Sequence, residues 1–184
     1  MNKEYFLFLV LPIFIISCAR QQIHEDKISN LQSGKIQMKI ISSAFQHNSV
    51  IPSQFTCDGQ NVNPPLSIVD VPANAKSLAL IVDDPDAPAG NWDHWVVFNI
   101  SPSAKEIAED AEPNGTSGKN SWNKTGYGGP CPPSGTHRYF FKLYALDIIL
   151  NLPNGSGKKQ VESAMQNHII AKAELIGLYK RTGR

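Results

Sequence analysis

The sequence has 184 residues, 41% of them apolar and 18% charged, which suits one domain of ordinary size built around a single core. Seventeen Lys and Arg stand against 16 Asp and Glu, a formal net charge of +1 with no basic run, and this excludes an electrostatic binder of nucleic acid. Thirteen Gly and thirteen Pro, gathered between β-rich segments, exclude a helical bundle, and the aliphatic and aromatic content excludes a disordered chain.

Residues 1–17 read as an export signal, with Lys3 as a short basic start and an apolar stretch over 5–16 that is too short to span a bilayer. The run Ile15-Ile16-Ser17-Cys18 resembles a bacterial lipobox, so Cys18 is the expected lipidation site and the expected membrane anchor; a secreted protein with an incidental Cys is the alternative. Residues 18–35 are polar and lack a periodic apolar face, as a tether would be, and 36–184 form the expected domain. Ala19 is not the Asp of an inner-membrane retention signal, so an exported protein facing the periplasm from the outer membrane is expected if the cell envelope is Gram-negative. With Cys18 lipidated, Cys57 and Cys131 remain as an even pair suited to a disulfide, two buried thiols being the alternative.

Short apolar segments bounded by turn residues follow at 36–41, 66–69, 78–82, 94–100 and 138–146, and each is expected to be a strand. Period-two alternation puts His94, Val96, Phe98 and Ile100 on one face of its strand, and His137, Tyr139, Phe141, Leu143 and Ala145 on one face of another. Both faces thus open with a His. The polar stretch 101–124 is long for a plain connection, a mark of loops that carry function. After the Asn154-Gly155-Ser156-Gly157 turn, Val161, Ala164, Met165, His168 and Ile169 recur at helical spacing; the residues beyond fit either a longer helix or a strand.

Three stretches carry residue types that a purely structural segment has little reason to contain. Asp83-Asp84-Pro85-Asp86-Ala87-Pro88 sets three carboxylates on a proline-stiffened turn. Trp92-Asp93-His94-Trp95 flanks an imidazole with indoles. A Gly and Pro run from Gly126 through Gly129, Pro130 and Cys131 delivers His137 and Tyr139 to the head of a strand. Taken singly these also read as an Asp-rich turn, a structural histidine and a pinned surface loop.

Together, in this order, with Phe55-Thr56-Cys57-Asp58-Gly59, Asn63-Pro64-Pro65-Leu66-Ser67 and Ala173-Glu174-Leu175, they resemble the phosphatidylethanolamine-binding protein family, in its bacterial Raf kinase inhibitor-like branch. The resemblance implies a mainly β fold of two packed antiparallel sheets with few helices, one helix near 158–170 and a C-terminal strand over 171–179. It also implies a pocket lined by Asp84, Asp86, His94, Gly129, Pro130, His137 and Tyr139 that accepts a phosphate-like or carboxylate-like anion or a phospholipid head group. Two carboxylates repel an anion, so attraction has to come from protonated imidazoles, backbone N–H groups near Gly129 and the Tyr139 hydroxyl; the carboxylates are expected to raise the imidazole pKa values. A binding protein without cofactor, metal or catalytic residues is the expected class. An inhibitor of a protease or other protein partner, and a metal-dependent or acid–base enzyme using Asp84, Asp86, His94 and His137, are the alternatives.

Overall fold

A computed structural model describes residues 37–181; the export signal, Cys18 and the tether lie outside the described residues. In chain order the strands are β1 (Lys39–Ile41), β2 (Ser49–Val50), β3 (Leu66–Val69), β4 (Ser77–Asp84), β5 (Trp92–Ile100), β6 (Glu106–Ile107), β7 (Thr116–Ser117), β8 (His137–Leu146) and β9 (Ile169–Tyr179), with helix α1 (Lys158–Met165) before the last. They form a three-stranded sheet in the order β1-β3-β6 and a six-stranded sheet in the order β2-β9-β8-β4-β5-β7. The pairings are antiparallel except β2 with β9, which run parallel. Among the described residues, the mainly β fold of two sheets with one α-helix is the expected one.

Strand β4 explains the layering. Its run Leu78-Ala79-Leu80-Ile81-Val82 is apolar at every position because both of its faces are covered. Leu78, Leu80 and Val82 pack with Ile40, Leu66, Ile68, Phe141 and Leu175 between the sheets, whereas Ala79 and Ile81 pack with Val96, Phe98, Leu146, Val161 and Met165 under α1. Each such aliphatic side chain withdrawn from water contributes about 1.5–3 kcal/mol.

Alternation along β8 is as expected, with Tyr139, Phe141, Leu143 and Ala145 all in the inter-sheet core. Alternation along β5 is not, and the expected single face of His94, Val96, Phe98 and Ile100 is corrected. Val82 pairs with Trp95 but Asp83 pairs with Asp93, and Leu78 pairs with Ile100 but Leu80 with Val97, so β5 carries one extra residue at each of two bulges. Val96 and Phe98 therefore face α1, while Trp95, Val97 and Ile100 face the other sheet. Asn99 holds the second bulge at φ 57, its side-chain amide exchanging hydrogen bonds with the Leu150 backbone at 2.8 and 2.9 Å.

Helix α1 stops at Met165, short of the expected end near Ile170. Asn167 takes φ 64, His168 Nδ1 meets Asp147 Oδ1 at 2.8 Å, and β9 begins at Ile169 rather than at Ala171. The helical spacing of His168 and Ile169 was accidental: His168 turns to Asp147 and Ile169 is exposed.

Candidate functional site

The strand order β8-β4-β5 brings the end of β4, the start of β5 and the start of β8 side by side, and with them Asp84, His94 and His137. The first bulge of β5 lies at His94 and turns its ring toward Tyr139 of β8, with centroids 5.2 Å apart. All four side chains are at least nine-tenths buried. They line or underlie a cavity of about 390 Å³ whose walls are otherwise apolar: Ala87, Pro88 and Ala89 from the turn after β4, Trp92, Trp122, and Pro132 with Pro133 from the Gly and Pro run.

Each buried group has a definable hydrogen-bonding state. His94 Nδ1 lies 2.6 Å from the Gly128 carbonyl oxygen, which can only accept, so Nδ1 carries the proton. Burial pushes the His94 pKa down, against smaller opposing effects of the Gly128 bond and of Asp84, Asp83 and Asp93, so the site favours the neutral ring and the expected upward shift is corrected. His137 Nδ1 donates to Asp84 Oδ2 at 2.7 Å, and Asp84 Oδ1 accepts the Asp86 N–H at 2.8 Å. The Tyr139 hydroxyl is sealed from solvent and makes no well-directed hydrogen bond among the described residues; burial, then the Asp84 charge, drive its pKa upward.

The other expected pocket residues lie beside the cavity. Asp86 accepts from Arg138 Nε at 2.9 Å, Nη2 at 2.6 Å and the backbone N–H at 2.9 Å, and the guanidinium lowers its carboxyl to about 2. It ties the turn to β8 instead of facing the cavity. The Gly129 N–H, expected to meet an anion, is spent on Asn61 Oδ1 at 2.8 Å. A Cβ on Gly129 would lie 2.5 Å from the Phe55 oxygen, which is why a glycine stands there. Pro130 is buried and its carbonyl accepts the Cys57 N–H at 3.1 Å, next to the Cys57–Cys131 disulfide with Cα atoms 5.4 Å apart. The two cysteines are bridged, not free.

Trp122 is the site residue that the sequence reasoning passed over. Asn120 Oδ1 accepts the backbone N–H groups of Trp122 and Lys124 at 3.0 and 3.1 Å, and its amide donates to the Gly126 carbonyl. The indole so held meets His94 edge-on at 5.1 Å and Trp92 at 5.4 Å. It also walls a second cavity of about 280 Å³ on its other side. A large aromatic alone among Ser, Asn and Lys in the polar stretch was the available signal.

Among the described residues no group of three or more His, Cys, Asp and Glu side chains is arranged to hold a metal ion. Asp84 and His137 are engaged with each other, and Asp86 with Arg138.

Residues 41–180 match the family model described as phosphatidylethanolamine-binding protein. A UPF0098 protein of Methanothermobacter thermautotrophicus is 51% identical over 150 residues, covering 78% of this chain and 99% of its own length. A UPF0098 protein of Chlamydia muridarum is 46% identical over 149 residues, covering 78% and 99%. Among solved structures, a phosphatidylethanolamine-binding protein homologue of Chlamydia trachomatis superposes with TM-score 0.78 at 44% identity, covering 80% of this chain and all of its own. Escherichia coli YbcL, described as a new member of the mammalian family of these proteins, superposes with TM-score 0.74 at 29% identity, covering 79% and 99%.

Proposed function

The chain belongs to the phosphatidylethanolamine-binding protein family, and from that premise we propose that it is a binding protein, not an enzyme, whose cavity at the ends of β4, β5 and β8 takes a small oxyanion: phosphate, a phosphoryl head group or a carboxylate. The observation that carries this reading is a polar floor of Asp84, His94 and His137 under apolar walls, with one ring nitrogen of each imidazole left without a hydrogen-bond partner among the described residues. The cavity volume of about 390 Å³ suits a head group rather than a whole lipid. Exposed backbone donors near Gly129 are not part of the proposal, because Asn61 already holds that N–H.

The test is a titration of the full chain with phosphate and phosphoethanolamine, followed by NMR of the histidine rings, beside a His137→Ala control. Saturable shifts of His94 and His137 that vanish in the control are expected. A flat titration of folded protein would overturn the reading and favour a protein partner.

We propose also that the protein is exported and held at a membrane surface through lipid on Cys18. The Cys57–Cys131 disulfide supports this, since such bridges persist in oxidising compartments. Mass spectrometry of the mature protein in its native host is expected to find an acylated Cys18 as its first residue, and an unmodified N-terminus would refute it.

A further inference from the structure

Trp122 stands between two cavities of different chemistry. The histidine cavity and the second one, of about 280 Å³, share Trp122 and Cys131 in their walls. The indole is 41% exposed, so the partition is incomplete and a molecule can lie across both cavities on its solvent side. Asp84 lines the first cavity, but among the described residues no Asp or Glu lines the second. Asn61 Oδ1 accepts the Gly129 N–H there, which leaves the Asn61 Nδ2 hydrogens without a partner among the described residues. Lys124 Nζ and the Thr125 hydroxyl have none either. Asn120 Oδ1 accepts the backbone N–H groups of both Trp122 and Lys124, so one side chain fixes the wall and the cation together. Gly128 adds bare backbone to that wall, since a Cβ there would lie 2.5 Å from the indole.

We infer that the two cavities form one site for a phosphoryl group esterified to a polyhydroxylated ring, with the phosphoryl group over His94 and His137 and the ring beside Trp122 in the second cavity. This rests on the oxyanion reading of the first cavity. Three groups able to donate, from Asn61, Lys124 and Thr125, face a wall of indole, glycine backbone and disulfide. Hydroxyl oxygens meet the donors, and the apolar C–H bonds of the same ring meet the wall. An ammonium group would find no carboxylate in this cavity, and its volume, just below the roughly 300–1,000 Å³ of pockets for drug-sized ligands, suits a single ring. A free sugar phosphate and the head group of an inositol phospholipid share the chemistry. Monoester and diester are alike in this respect, because the contacts of the second cavity are with the ring.

The experiment is NMR titration of the full chain at pH 7 and about 0.15 M salt with glucose 6-phosphate and, as the ring-free control, glycerol 3-phosphate. Wild type is compared with Thr125→Val and Lys124→Ala, whose side chains are exposed. Glucose 6-phosphate is expected to bind at least about fivefold tighter than glycerol 3-phosphate and to shift the Asn61 and Thr125 resonances. Each variant is expected to lose most of that surplus while its affinity for glycerol 3-phosphate stays within about twofold, the Lys124 charge being screened at this salt. Phosphatidylcholine vesicles carrying phosphatidylinositol, against equal vesicles carrying phosphatidylglycerol of the same charge, separate the sources. Preference for the inositol lipid assigns the ring to a lipid head group, and a glucose 6-phosphate surplus without it assigns a soluble ligand. No surplus for either ring compound, or a surplus that both variants retain, overturns this inference and leaves the oxyanion reading standing. No binding of any phosphate compound overturns both.

Discussion

Asp83 and Asp84 are consecutive residues of β4 whose carboxylates serve opposite faces of the six-stranded sheet. Asp84 takes the His137 Nδ1 proton at 2.7 Å beside the cavity, and Asp83 is fully buried against Lys142 and Lys158 on the α1 side. Strand geometry separates them, since successive side chains point to opposite faces. The acidic turn is thus three carboxylates with three tasks: Asp83 joins the helix to the sheet, Asp84 orients an imidazole, and Asp86 fixes the turn to Arg138.

Asp83→Ala would take from Lys142 and from Lys158, nine-tenths buried, their common counter-charge and leave Lys158 with Asp93 at 3.0 Å, at a cost of roughly 3 kcal/mol. Asn91, Lys142 and Lys158 outweigh the burial that alone would raise the Asp83 pKa, and hold it below 3.8. The unfolded state then binds more protons than the fold as the pH drops below about 5, so this contribution is present at neutral pH and is lost on acidification through the depressed folded value. Urea unfolding of wild type and variant at pH 7 and pH 3 checks both statements. The gap between them is expected to narrow at pH 3.

Tyr139→Phe is expected to change stability by less than about 1 kcal/mol, because the hydroxyl it removes is buried and makes no well-directed hydrogen bond among the described residues. Phosphate affinity is expected to stay within about tenfold in the same variant, since the hydroxyl is sealed beneath His94 and does not line the cavity. Thermal unfolding with and without phosphate reads both effects; destabilisation of several kcal/mol would show that the hydroxyl has a structural partner instead.

Arg138→Ala is expected to release the Asp86 carboxyl from about 2 toward its ordinary 3.8, read by NMR titration of the side chain. Both partners are partly exposed, with the Arg138 side chain half in solvent, so stability should change by less than about 1 kcal/mol. An unmoved Asp86 pKa would show that another group holds it.

Much of this architecture is legible in the sequence. Segment 66–69 is a strand with the expected bounds, β8 alternates as its residues imply, and the ordered motifs name the family whose model matches 41–180. What was misread follows from backbone events without a side-chain pattern. Bulges shift the face of every later residue by one, so Val96 and Phe98 went to the wrong layer. The helix ends where Gln166 turns to ψ 133, and Asn167 follows with a left-handed φ that several other Asn residues also adopt, so neither identity alone marks the position. Gly129 suggested a bare N–H for a ligand because nothing near it in sequence announces Asn61, 68 positions away, as the acceptor. His94 suggested a raised pKa from nearby carboxylates, and burial, which one sequence does not reveal, decides the other way.

The same region makes a last prediction about the disulfide. Cys57 and Cys131 close a loop with a sequence separation of 74, and removing the bridge should cost about 4 kcal/mol, chiefly by freeing the unfolded chain. Cys131 also borders the cavity, which invites the expectation that reduction abolishes binding. The hydrogen bonds argue otherwise. Three further ties join the same two loops: Cys57 N–H to the Pro130 oxygen, Gly129 N–H to Asn61, and the Tyr127 hydroxyl to the Phe55 oxygen at 2.9 Å. Below its melting point the Cys57→Ser, Cys131→Ser double variant should therefore keep its phosphate affinity within about tenfold, or 1.4 kcal/mol, while its unfolding midpoint falls sharply. Affinity lost at temperatures where the fold remains intact would show that the bridge, and not these three bonds, holds the cavity wall in place.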